Sequence, residues 1–143
     1  MLKIAHRGNT NGPSPKENSP EYIQEAIDLG HDAEIDIWLI DGKLFSGHDF
    51  GQYEITEDFL YHNAYSLWIH CKNFEALDYF SKLGNSFNYF WHQDDNHTLT
   101  SHMFLWTYPG KEVGQWSVIV DLEGKVEYDC YAICTDYIKY TDN

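Results

Sequence analysis

Positive charge is what this sequence has least of. Its 9 Lys plus Arg face 23 Asp plus Glu in 143 residues, a formal net charge of -14. Such an acidic surface repels nucleic-acid backbones and anionic membranes at long range, so no nucleic-acid partner is expected. A small phosphate ester stays open as a substrate, because a bound metal can outweigh the global charge locally. Cysteine is scarce too. Cys71, Cys130 and Cys134 are odd in number, scattered, and form no CxxC pair. That argues against a disulfide framework and against a cysteine zinc site. No stretch approaches the ~20 apolar residues of a transmembrane helix. The start, MLKIAHRG, lacks the apolar run of a signal peptide, so the expected location is cytoplasmic. A GxSxG elbow and a Walker A loop are both missing, which turns the reading away from acyl transfer and from P-loop chemistry.

Apolar material is ample. Hydrophobic residues make up 43% and aromatics 17%, enough for one real core in a single domain spanning 1–143. Leu2 to Ala5 is a short apolar run, a buried strand that delivers His6-Arg7-Gly8 to a loop. Residues 9–18 are rich in turn formers. Ser19 and Pro20 then open a helix that Gly30 closes. Ala33 to Ile40 alternates, with Glu34, Asp36 and Trp38 on one face. Asp41-Gly42 signals a hairpin, and its return strand leads to Gly47-His48-Asp49. Ser66 to His70 reads as a strand and Phe74 to Leu83 as a helix. Beyond that, 87–91, 103–108, 117–121 and 131–136 read as four strands with gaps mostly too short for helices. Parallel neighbours normally need crossovers of about a dozen residues, so stripped-down crossovers or antiparallel pairs are expected there.

In a parallel sheet or barrel, strand ends on one side converge. Convergence here would gather His6, Arg7, Glu34, Asp36, His48, His70 and Lys72. Two carboxylates on one face suit a hard divalent cation such as Mg²⁺ or Ca²⁺. Arg7 and Lys72 suit phosphate oxygens. Two histidines suit general acid and base work near neutral pH. The set describes phosphoryl chemistry. Each residue also has a plainer reading. Glu34 and Asp36 could face solvent on an exposed strand. Glu17 could serve the helix dipole, Asn18 a turn, and Asp49 the orientation of His48. His92 sits in a ligand-rich tract that reads as a solvated loop, and Asp136 could hold the barrel rim.

The order of the short motifs carries more information. AHRG, Glu17-Asn18-Ser19-Pro20, Ala26 and Gly30, Glu34-Ile35-Asp36, Asp41-Gly42 and His48-Asp49 together resemble the signature of the glycerophosphodiester phosphodiesterase family. The likeness is close over residues 4–50 and thinner beyond. It implies a TIM-barrel-like phosphodiesterase fold. It also implies His6 and His48 as catalytic acid and base, Glu34 and Asp36 as metal ligands, and Arg7 as a phosphate contact. Later, His70-Cys71-Lys72 falls where the family carries an acid, one residue and a lysine. Lys72 fits as a substrate contact, while the third ligand would be His70, and imidazole suits Mn²⁺ or Zn²⁺ better than Ca²⁺. Trp106-Thr107 resembles the family's late Trp-Thr, making Trp106 an apolar wall of the substrate pocket. Cys134-Thr135-Asp136 resembles its closing Thr-Asp.

Length is the departure. A TIM barrel typically takes ~250 residues. The expectation is therefore an α/β fold with a reduced or incomplete barrel and few helices in its second half. Uncovered strands would leave edges that self-association could complete, so a homo-oligomer is anticipated. The expected activity is metal-dependent hydrolysis of a small glycerophosphodiester-like substrate. A degenerate phosphate-ester binding module and a lyase releasing a cyclic phosphate are the alternatives.

Overall fold

Asp41 and Gly42 both have positive φ, 50° and 77°, as a two-residue hairpin of type I′ demands. They join β2 (Asp32–Ile40) to β3 (Lys43–Ser46) in antiparallel register, Ile40 opposite Lys43. This detail belongs to a computed structural model, which describes residues 1–125 and 127–138. The other elements are β1 (Leu2–Ala5), α1 (Pro20–Asp28), β4 (Tyr53–Glu54), α2 (Glu57–His62), β5 (Leu67–Cys71), α3 (Phe74–Ser81), β6 (Asn88–Phe90), β7 (His97–Leu99), β8 (Leu105–Thr107), β9 (Ser117–Val120) and β10 (Ala132–Thr135). Each α-helix starts at a side-chain cap. Ser19, Thr56 and Asn73 accept from the backbone N–H of Tyr22, Phe59 and Ala76, worth about 1 kcal/mol apiece.

The strands form one curled sheet. β6, β5, β2, β1, β10, β9 and β8 lie side by side and run parallel. β7 pairs antiparallel with β8, and β3 and β4 extend the upper half of β2 as a hairpin flap. The segment after β7 then reaches the free side of β6. Ser101 N–H donates to Tyr89 O at 2.7 Å, and Tyr89 N–H donates to Ser101 Oγ at 2.9 Å. The two ends of the curl are thus tied by bonds outside the regular ladders. β7 falls partly within the tract that reads from sequence as loop, and α2 and β4 carry no clear periodic signal.

Alternation along the strands sorts the core into two clusters. Ile35, Ile37, Ile69 and Cys71 pack outward against Ile23 and Ala26 of α1 and Ala76 and Phe80 of α3. Ile4, Trp68, Phe90, Trp106, Val118, Val120, Ala132 and Cys134 fill the inside of the curl. Among the described residues no helix follows α3. The described parts of the parallel connections from β8 to β9 and from β9 to β10 are irregular chain, 108–116, 121–125 and 127–131. The outward positions there mix buried apolar with buried polar side chains: Ile119 and Ile133 are 1% and 3% exposed, and Thr107, Ser117 and Thr135 are each 0% exposed. Ser117 Oγ accepts the Gly114 N–H at 2.8 Å, and Thr135 Oγ1 donates to Leu122 O at 3.3 Å. A loop laid directly on the sheet can satisfy such hydroxyls through its own backbone groups. No helix among the described residues is long and apolar enough to cross a membrane.

Candidate metal and phosphate site

Because Ile35 and Ile37 point out to the helices, Glu34 and Asp36 must point into the mouth of the curl. Both are buried, at 2% and 1% exposure. β5 runs alongside in register, Asp36 opposite His70. Ligand atoms of Glu34, Asp36 and His70 lie within 4.8 Å of one another, as no other set of three such residues does among those described. Asn18, with φ 69°, grips Asp36 from outside. Its Nδ2 donates to Asp36 Oδ2 and its Oδ1 accepts the Asp36 backbone N–H, both at 2.9 Å. The sequence left Asn18 between a turn residue and an orienting one. The structure gives it both roles.

Arg7 stands on strained backbone, φ 55° for a non-glycine residue. That kink lets its N–H donate to Glu34 Oε2 at 3.1 Å. Its guanidinium bonds Glu17 Oε1 at 3.1 Å, and its Nε lies 3.5 Å from Asp36 Oδ2. The next residue must be glycine: Gly8 has φ 88°, and a Cβ there would sit 2.8 Å from the Tyr22 ring. Glu17 is therefore a positioning group for Arg7, more than a helix-dipole partner.

His6 ends β1 and faces Asp136 at the end of β10. Nδ1 and Oδ1 are 2.7 Å apart, and Asp136 also accepts from Asn9 Nδ2 at 2.9 Å. Nδ1 so held carries a proton, which leaves Nε2 as the free nitrogen. Burial alone would raise the Asp136 carboxyl, but the bonds from His6 and Asn9 hold it below its ordinary range. Asn9 went unnoticed in the sequence, since an Asn in a turn-rich loop looks unremarkable. His48 is more open, and its Nδ1 meets Asp49 Oδ1 at 2.7 Å.

His6, Arg7, Glu34, Asp36, His48 and His70 line one open cavity of about 350 Å³ with Lys72, His92, Gln93, Asp94, Trp106, Tyr108 and Val120. All eight site residues expected from the sequence, His6, Arg7, Glu34, Asp36, His48, His70, Lys72 and Trp106, thus border the same space. Tyr108 was missed, although period-two alternation from Trp106 could have found it. His92 stacks on Tyr108, ring centroids 4.3 Å apart.

The electrostatics are those of a cation site. Burial and the adjacent Asp36 charge raise the Glu34 carboxyl well above its ordinary range. Burial also opposes ionisation of Asp36, but the bond and charge of His70 and the amide of Asn18 pull it far down. His70 Nε2 lies 3.2 Å from the backbone O of His92 and donates to it. Its Nδ1 lies 3.0 Å from Asp36 Oδ1. A nitrogen and a carboxylate oxygen that close share a positive charge: the proton on Nδ1 or, in its place, a metal ion. A donor set of two carboxylates and one imidazole therefore fits a divalent ion. No protein-family model matches the chain, and no curated protein or solved structure matches it either.

Proposed function

We propose that the protein is a metal-dependent phosphodiesterase of the glycerophosphodiester phosphodiesterase kind, built on a reduced TIM-like barrel. The observation that carries this reading is the shared cavity. It joins the Glu34-Asp36-His70 cluster to the cations Arg7 and Lys72 and to the histidines His6 and His48. Glu34, Asp36 and His70 would hold one divalent ion, which when bound offsets charge on the phosphoryl oxygens. The imidazole ligand favours Mn²⁺ or Zn²⁺ over the Mg²⁺ or Ca²⁺ that carboxylates alone would take. Arg7 is held rigid by Glu17 and Asp36, ready to bond a non-bridging oxygen. His6 presents Nε2 to the cavity and removes a proton from the attacking hydroxyl, of water or of the substrate's own alcohol. His48 on the open side protonates the leaving alkoxide. Each such transfer supplies about 10²–10⁴ in rate.

Hydrolysis of bis-(p-nitrophenyl) phosphate and of glycerophosphodiesters, with each of these ions or with EDTA, tests the reading. Metal-dependent turnover should appear, and His6→Ala should remove at least about 99% of it. Full activity in His6→Ala would refute the role of His6. The imidazole where the family pattern has an acid favours one second reading, a module that holds a phosphate ester without cleaving it. Metal-dependent phosphate binding with no turnover would select that reading.

A further inference from the structure

The charged contacts for a phosphate sit on the β1 and β5 side of the cavity, at Arg7 and Lys72. The opposite wall is the end of β8. Trp106 faces inward there and is 2% exposed. Tyr108 follows two residues later on the same face, one layer nearer the mouth. Its ring is fixed against His92 at a centroid distance of 4.3 Å and an interplanar angle of 23°. Its oxygen lies near the Trp106 indole, which can offer only an N–H and never an acceptor. Among the described residues no acceptor takes the phenol proton, so the O–H is left to the cavity.

Resting on the phosphoester reading of the site, we propose that Tyr108 donates its O–H to the phosphoryl group of the bound ligand, as a neutral contact facing Arg7 and Lys72. The phenol suits this task. Burial, with the nearby Glu34 and Asp36 carboxylates, raises it to about 12, so it remains a donor at any working pH. A third cation on that wall would compete with the metal for the carboxylates, whereas a phenol adds a donor without adding charge.

Tyr108→Phe removes the oxygen and keeps the ring that stacks on His92. Calorimetry would follow Mn²⁺ binding, then inorganic phosphate binding to the Mn²⁺-loaded protein, for wild type, Tyr108→Phe and Tyr65→Phe. Tyr65 is fully exposed and serves as control. The expected result is unchanged Mn²⁺ affinity in both variants, with phosphate affinity lowered about 10- to 100-fold in Tyr108→Phe alone, the size of one hydrogen bond to a charged group. Equal phosphate affinity in wild type and Tyr108→Phe would overturn the role of Tyr108 and leave the site reading standing. A matching loss of Mn²⁺ affinity would overturn it too, because the phenol would then act through the metal ligands. Failure of the wild type to bind phosphate with Mn²⁺ present would overturn both this role and the phosphoester site.

Discussion

Replacing Glu34 by glutamine should stabilise the metal-free protein and abolish its response to a divalent cation. Glu34 and Asp36 are 2% and 1% exposed. Their ligand atoms lie within 4.8 Å. Two unit charges at that separation repel by about 3.5 kcal/mol at an effective dielectric constant of ~20. Without a cation the fold must bear that repulsion or keep Glu34 protonated, and either choice lowers stability near neutral pH. Glutamine keeps the shape and an oxygen to accept the Arg7 N–H, 3.1 Å away in the wild type. It loses the attraction between Glu34 and Arg7, so the net gain should be about 1–2 kcal/mol. For a domain of this size that is a rise in Tm of roughly 3–6 °C. The sign with pH follows from the raised Glu34 carboxyl. Its penalty is absent below the usual carboxylate range and grows as pH rises through it, so variant and wild type should converge near pH 4 and separate above. A cation at a hundred times its Kd should stabilise the wild type by about 2.7 kcal/mol, or roughly 8 °C. Glu34→Gln should show about a quarter of that shift or less. Thermal melts at pH 7.5 in EDTA and in Mn²⁺ read both effects. A variant less stable than wild type in EDTA that keeps the full Mn²⁺ shift would refute the reasoning on both counts.

Two further outcomes follow from the supporting residues. Asp136→Asn should cut turnover about 10²-fold or more by loosening the charge-assisted hold on His6 Nδ1, 2.7 Å away. Because the Asp136 carboxyl is held below its ordinary range, its stabilising contribution is present above that range and lost as pH falls through its folded value. Melts of the two proteins should therefore differ at pH 6 and converge toward pH 3. A constant gap would refute the ion pair. Asn18→Gly tolerates the positive φ of 69° but deletes both 2.9 Å bonds to Asp36. It should cost roughly 1–3 kcal/mol in chemical denaturation and weaken Mn²⁺ binding. An unchanged metal affinity would reduce Asn18 to a turn residue.

The first half of the chain was legible because several signals agreed at each step. Ser19-Pro20 and Gly30 bracketed α1, Asp41-Gly42 fixed the hairpin, and alternation put Glu34 and Asp36 on one face. Period two alone places those acids together, but only the isoleucines between them, packed under α1 and α3, decide that the face is the inner one. The later strands β6, β8, β9 and β10 were legible as apolar runs, and of the two alternatives their short gaps left open, β8, β9 and β10 take the stripped-down parallel crossover. What stayed hidden was what a gap contains. β7 lies partly in a stretch of polar residues, and its place is set by Ser101 bonding across to Tyr89, a long-range contact with no local signature. Asn9 and the packing role of Tyr108 were hidden for a similar reason. Each matters through a partner distant in sequence, Asp136 for one and His92 for the other.

The helix-free strands and the charged groups of the site occupy different parts of the described sheet. Every charged or metal-ligating group of the cavity except His92, Asp94 and the Asp136 behind His6 comes from residues 6–72. That stretch keeps two of the helices, α1 and α2, and α3 follows it directly. β8 and β9 contribute only walls, Trp106, Tyr108 and Val120, while β10 contributes the Asp136 support. A wall needs a strand to hold its side chain at the right height. It does not need the helix that would normally return the chain, provided the outward face of that strand is satisfied. Buried Thr107, Ser117 and Thr135 meet this condition by bonding to backbone or to one another under the connecting loops. Among the described residues, helices thus lie where they clamp the strand that carries the acids, against Ile35 and Ile37, and none covers the strands that supply shape alone. A change of Thr135 to valine, by this logic, would leave the Tyr137 N–H without its acceptor and Leu122 O without one donor, and should destabilise the fold rather than improve the core.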